Sequence, residues 1–186
     1  MVAFIVVLVA LAAMVSIEAL FADVHTAPDG TYSEIAGSIQ GPAYTNVTNG
    51  KIALTTNNLT DASSPAARDT WIRASNESRE ASDIYNHSLV PPAGEKYLIA
   101  NVTVTNVAHR QESFSYADFF IVAKDGRTYY ANYAVCSAYC TANVLKSRTL
   151  SDNYTSDLYL LFSMPATSEA TKLVYASNPP IVMTLA

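Results

Sequence analysis

Residues that carry most protein chemistry are scarce in this chain. Its 186 residues include two cysteines, three histidines, one tryptophan and six glycines. His25, His87 and His109 stand far apart, with no His-x-x-x-His pair, which makes a poor base for acid–base or metal work. The glycines form neither Gly-x-Ser-x-Gly nor Gly-x-Gly-x-x-Gly, so a nucleophile elbow and a phosphate-cradling loop are both missing. Positive charge is thin as well: the 11 Lys+Arg lie scattered between Lys51 and Lys172, and the formal net charge is -5. Phosphate binding needs a clustered basic patch, so nucleic acid is not a partner. The carboxylate pairs Asp152/Asp157 and Asp118/Asp125 could meet Ca²⁺ with backbone carbonyls, yet nothing approaches the Asp-x-Asp-x-Asp spacing of a calcium loop. Neither an enzyme nor a cofactor is expected.

What the chain does have begins at its first residue. From Val2 to Ala22 it is apolar apart from Ser16 and Glu18. As a helix, 21 such residues would run about 31 Å, close to the hydrocarbon thickness of a bilayer. A buried helix of a soluble domain would keep a polar stripe, and Val2 to Ile17 has none. A cleaved secretory signal would carry a basic start and small residues at both key positions of the cut. No basic start is present, and Leu20 stands three residues before a cut after Ala22. The segment is therefore expected to stay attached as a long hydrophobic α-helix over residues 1–24. Its assembly residues would be Val2, Phe4, Ile5, Leu8, Leu11, Val15 and Glu18. Glu18 either reaches interface water or faces a neighbouring helix and fixes axial register.

Residues 25–186 have a different character, rich in Ser, Thr, Asn and Tyr. Six Asn-x-Ser/Thr triplets start at Asn46, Asn58, Asn76, Asn86, Asn101 and Asn153, where 12 asparagines and 35 serines and threonines in 186 residues give about two by chance. The excess favours an extracellular, N-glycosylated surface. Cys136 and Cys140, in "CSAYC", are close enough for a local disulfide, since three spacer residues can bring the Cα atoms within roughly 4.4–6.8 Å. Two free thiols and a thiolate metal site are the alternatives; the latter would need ligands from distant histidines.

From Thr31 onward short alternating apolar runs separated by turn chemistry predict an antiparallel sandwich. Strands are expected near 31–40, 44–55 with an Asn49-Gly50 turn inside, 68–75, 96–106, 117–124, 127–134, 157–164, 171–176 and 180–185. The stretches 56–67 and 76–95 read as solvated loops. In "KYLIANVTVTN", Leu98, Ala100, Val102 and Val104 share one face, and Tyr97, Ile99, Asn101, Thr103 and Thr105 the other. Asp125-Gly126 marks a hairpin with a two-residue turn of positive φ. Tyr129, Tyr130, Tyr133, Tyr139, Tyr154 and Tyr159 crowd one region, half of them expected in the core and half as a sticky face.

The stretch from Gly94 to Leu185 resembles a family of small immunoglobulin-like (telokin-like) extracellular domains common in prokaryotic surface proteins. The matching elements are Gly94 with "YLIANVTVTN", "SFSYADFFIVAKDGRTY", "DLYLLFSMP" and "KLVY". In the family a Gly precedes the late strand, where this chain reads "TLSDNYTSDLY". The resemblance implies a β-sandwich and transfers no catalytic residue. The pairing of an apolar helix with a β-sandwich also resembles, in architecture alone, archaellins and archaeal pilins.

The expected protein is mainly β, an immunoglobulin-like antiparallel sandwich over 25–186 behind one hydrophobic helix. Two functions follow. The first is a structural subunit of an extracellular filament, a helical homo-oligomer with bundled helices inside and glycosylated sandwiches outside. The second is a single-span membrane-anchored module that binds an envelope protein or a glycan.

Overall fold

In the computed structural model, residues 32–33, 36–62, 91–136 and 148–185 are described. The expected helix, the strand at 68–75 and the boundary at 24/25 lie outside them. The strand expected at 31–40 is corrected: residues 32–33 and 36–38 are not in a strand, and pairing begins at Ile39, after a turn in which Gly37 has a positive φ of 86°. Eleven strands follow in chain order: β1 Ile39–Pro42, β2 Val47–Thr48, β3 Ile52–Asp61, β4 Glu95–Asn106, β5 Glu112–Phe114, β6 Phe119–Ala123, β7 Thr128–Cys136, β8 Arg148–Leu150, β9 Thr155–Pro165, β10 Ala170–Tyr175 and β11 Ile181–Thr184. A 3-10 turn, Tyr116–Asp118, leads into β6.

Nine strands form one sheet in the order β1-β11-β10-β6-β7-β9-β4-β3-β2, and β5 pairs separately with β8. The sheet folds into two layers because β7 serves both. Its first residues pair with β6 (Tyr130 opposite Phe120, Thr128 opposite Val122) and its later ones with β9, from Ala131 opposite Phe162 to Cys136 opposite Leu158. A register shift between Ala131 and Tyr133 marks the corner. The result is a mainly β sandwich. One pairing departs from the expected antiparallel pattern: β1 runs parallel to β11, Ile39 opposite Ile181 and Pro42 opposite Thr184.

Alternation explains β4. Leu98, Ala100, Val102 and Val104 are buried in the main core, while Asn101, Thr103 and Thr105 are half-buried on the other face. Leu54, Leu158, Leu160 and Phe162 complete that layer; Phe119, Ile121, Leu173, Ile181 and Met183 come from the opposite one.

β6 obeys a different rule, since all five of its residues are buried. Phe119, Ile121 and Ala123 point into the main core, whereas Phe120 and Val122 join Val174 and Val182 in a second cluster on the layer's outer side. Tyr32 closes that cluster. Its ring lies 6.1 Å from that of Phe120, its backbone N–H donates to Gly126 O at 2.6 Å, and Lys172 Nζ sits 5.3 Å above it. A layer covered on both sides reads in sequence as unbroken apolar runs, "FFIVA" and "IVM".

Turn chemistry holds with one amendment. Among Lys124, Asp125 and Gly126 only the glycine has positive φ (85°), and Gly126 N–H donates to Ala123 O at 2.9 Å. The loop therefore has three residues, a turn followed by a left-handed glycine, instead of the expected two-residue form. At the Asn49-Gly50 turn, Gly50 has φ 82° and Asn49 acts as a clip. Its Oδ1 accepts from Lys51 N and Ile52 N, while its Nδ2 donates to Ser177 Oγ at 2.9 Å and Pro179 O at 3.0 Å.

The expected loop at 56–67 is corrected: β3 continues to Asp61, pairing with Leu98 on β4. A register shift between Thr56 and Asn58 hid it. Thr56 and Leu59 face inward three residues apart, which breaks the period of two.

Candidate glycan-bearing face

The outer side of β3, β4 and β9 carries a polar ladder, next to Ile99 and Leu161, which oppose each other on the same face and are buried. Thr55 pairs with Thr103 and Thr103 with Asp157; Thr105 pairs with Thr155. Their inward neighbours, Leu54, Val102, Val104 and Leu158, are buried, so period-two geometry puts the polar residues outside. At the bulge Thr56 faces the core, its hydroxyl donating to Met183 Sδ at 3.2 Å, and the extra residue Asn57 is displaced onto the ladder. Asn57 Nδ2 donates to Thr103 Oγ1 at 2.7 Å and to Asn101 Oδ1 at 3.3 Å. Thr103 Oγ1 in turn donates to Asp157 Oδ1 at 2.5 Å, and the hydroxyls of Thr105 and Thr155 meet at 3.0 Å.

Two triplet asparagines share this face. Asn58, exposed, stands directly opposite Asn101, which is half-buried and opposite Tyr159 on its other side. Asn46 is exposed just before β2. Asn153 is exposed in the turn between β8 and β9, with φ 55°. Asn76, Asn86, the assembly residues Val2, Phe4, Ile5, Leu8, Leu11, Val15 and Glu18, Cys140 and the side chain of Cys136 lie outside the described residues.

A buried amide holds the loops at one end of the sandwich. Asn106, the last residue of β4, has no exposed surface. Its Nδ2 donates to Arg110 O at 2.6 Å and to Leu150 O and Ser151 O at 3.0 Å each, and its Oδ1 accepts from Ala108 N. His109 is a loop residue here, φ 54°, with Nδ1 3.5 Å from Asp152 Oδ1 in an exposed pair. Exposed pairs of this kind contribute little.

The carboxylate pairs considered for calcium do not form sites. Asp152 faces His109 while Asp157 is bonded to Thr103, and Asp118 and Asp125 lie at opposite ends of β6. Among the described residues no group of three His, Cys, Asp or Glu is placed to hold a metal ion. Asp118 belongs instead to a half-buried cluster: burial raises its pKa, partly offset by the N–H of Ser115 at 3.3 Å. Tyr175, stacked on Phe119 at 4.8 Å, is pushed well above the usual phenol range by burial and then by the charges of Asp118 and Glu112.

The tyrosines divide between faces. Tyr129 and Tyr154 pack against the main core, while Tyr130 packs on Phe120 at 5.4 Å on the opposite side and stays 45% exposed. Sequence reasoning missed Asn57, Asn106 and Tyr32. The signals were present for the first two: the slipped spacing of "LTTNNL", and the asparagine that closes the aliphatic-x-aliphatic run "VTVTN".

The architecture is that of a small two-layered β-sandwich domain. The chain belongs to the family described as "Domain of unknown function (DUF4352)", whose model matches residues 46–183 and so takes in β2 and β3 as well as the stretch from Gly94. Among solved structures it is similar to an uncharacterized β-sandwich protein from Clostridium difficile 630, at 11% identity over 83% of this chain and 98% of that one, with a TM-score of 0.49. It is similar also to the secreted protein MPT63 of Mycobacterium tuberculosis (12% identity, 81% of this chain and 99% of that one, TM-score 0.49) and to the yjhA protein of Bacillus subtilis (15%, 78% and 99%, TM-score 0.47). No curated protein matches the chain.

Proposed function

We propose that this protein is a structural subunit of the cell surface, a filament subunit that displays a rigid, glycan-bearing sandwich outside the cell. One observation carries the reading. The apolar run ends at Ala22 and the sandwich already holds Tyr32 through Gly126 O and Phe120, so nine intervening residues reach about 30 Å at most. A head tied so closely to a segment that must hide from water is positioned by whatever buries that segment. In a filament the burying surface is a bundle of like helices, with Val2, Phe4, Ile5, Leu8, Leu11 and Val15 in contact and Glu18 setting the register. The archaellins and archaeal pilins are the architectural analogue. The subunit works by assembly, without catalysis or a cofactor.

A second reading, a single-span anchor whose sandwich binds an envelope protein or a glycan, is favoured by the length of the apolar run, which matches a bilayer's core. Shearing cells and collecting the fibres distinguishes the two. Recovery of the chain in the sheared, pelleted fibres is expected; recovery solely in detergent-solubilised membrane overturns the filament.

A further inference from the structure

The described triplets are not equivalent as modification sites. We propose that the folded head accepts N-linked glycan at Asn58, Asn46 and Asn153, and that the sheet itself seals Asn101. The inference rests on the extracellular part of the reading above.

The modification joins a side-chain amide nitrogen to the anomeric carbon of an activated sugar. The donor is a glycosyl phosphate, whose anomeric C–O bond to phosphate breaks, and the amide proton leaves with that phosphate. A transferase must bring the acceptor strand into its own cleft and engage the hydroxyl at the third position, the group that defines the triplet.

At Asn101 the acceptor strand cannot be drawn into such a cleft on the folded chain. β4 is paired on both sides around it, with Asn58 opposite on β3 and Tyr159 opposite on β9. Thr103, the required hydroxyl, already accepts from Asn57 Nδ2 and donates to Asp157 Oδ1. The amide oxygen of Asn101 accepts from Asn57 as well. Directly opposed residues have Cβ atoms about 5 Å apart, so a sugar on Asn58 would further cover Asn101.

Asn58 differs in its pairing and exposure. It lies at a bulge, it is exposed, and β2 pairs only with Ala53 and Leu54, so among the described residues no strand covers the far edge of β3 at this level. Asn153 stands in an exposed turn and Asn46 in an exposed connection, neither of them in a strand. Their third-position hydroxyls are engaged as well, Thr48 with Ile52 O and Gly50 N and Thr155 with Thr105, so what separates these sites from Asn101 is that no strand pairs with the asparagine.

Site-resolved glycopeptide mass spectrometry of the native full-length chain tests this. Glycan is expected at Asn58, Asn46 and Asn153, with occupancy at Asn101 at least about tenfold lower, because modification there awaits unfolding of the strand. Equal occupancy at Asn101 and Asn58 overturns the proposal, and so does a chain bare at all four. A second measurement isolates the cause. A soluble N-glycosyltransferase with a nucleotide sugar is given either the folded chain or a peptide of residues 96–107; modification of Asn101 in the peptide alone is expected. Refusal of the peptide too would show that the sheet is not what protects it. Glycan on Asn101 in sheared fibres would strike down this inference alone, and the expected glycan pattern on a membrane-bound chain would strike down the filament alone.

Discussion

Asn106 donates from its carboxamide to the backbone oxygen of Leu150 at 3.0 Å, joining the end of β4 to a strand 44 residues later. With Arg110 O and Ser151 O also held, one buried side chain fixes two loops. Replacing it with alanine leaves these carbonyls buried without their donor, and Asn106→Ala is expected to cost about 2–3 kcal/mol in urea unfolding. Asn106→Asp is expected to cost more, since a carboxylate would face the same three oxygens with no proton to give.

Gly41 marks the place where the two layers meet at β1 and β2, because a Cβ added there would collide with the Cγ2 of Val47. Gly41→Ala should destabilise by about 1–3 kcal/mol through overpacking of a stiff, branched neighbour. Val47→Ala makes room. In the double variant Gly41→Ala/Val47→Ala the two losses should fall short of their sum by about 1 kcal/mol, a coupling that a thermal or urea double-mutant cycle reads directly.

The second cluster is as deeply buried as the main core, and its residues are expected to contribute comparably. Phe120→Ala is expected to cost about 3–5 kcal/mol, the range for a fully buried phenylalanine, although the ring points away from the sandwich interior. Tyr130→Ala, at the exposed rim, should cost about 1 kcal/mol. Equal small losses in the two variants would show that the outer cluster is not a true core.

Asp118 sets a pH dependence of definite sign. Burial raises its folded pKa above the ordinary 3.8, so the folded state binds the proton more tightly than the unfolded state. Its contribution is therefore greatest below that ordinary value and is lost as pH rises through the raised one. Asp118→Asn keeps the acceptor for the Ser115 N–H and removes the charge. The variant should be more stable than the parent at pH 7, and should lack the parent's gain on acidification, in urea midpoints measured from pH 7 to pH 4. The Tyr175 phenol shifts in the same direction, so absorbance titration should show a phenol that remains neutral well above the ordinary tyrosine range.

These features were legible in the sequence to different degrees. The alternation of β4 announced the inward set Leu98, Ala100, Val102 and Val104, and Asp125-Gly126 announced the hairpin, because a period of two and a positive φ are local properties. The alternation did not announce that Ile99, on the other face, is buried as well. The second half of β3 is hidden in the sequence because its bulge shifts the inward set from Thr56 to Leu59, and the polar Asn57-Asn58 step then looks like a loop. The parallel pairing of β1 with β11 and the three-residue strands β5 and β8 depend on contacts distant in sequence, which no local pattern carries. The outer-face position of Asn101 followed from alternation. That its triplet hydroxyl is taken by Asp157 and Asn57 followed only from the register of three strands.

On the proposed reading the apolar segment stays with the mature protein and the sandwich stands outside the cell. N-terminal sequencing with intact mass of the chain isolated from native cell surfaces tests it most directly. A terminus at or before Val2, with the mass of the whole apolar run included, is the result expected; a chain that begins near Asp23 would contradict the account.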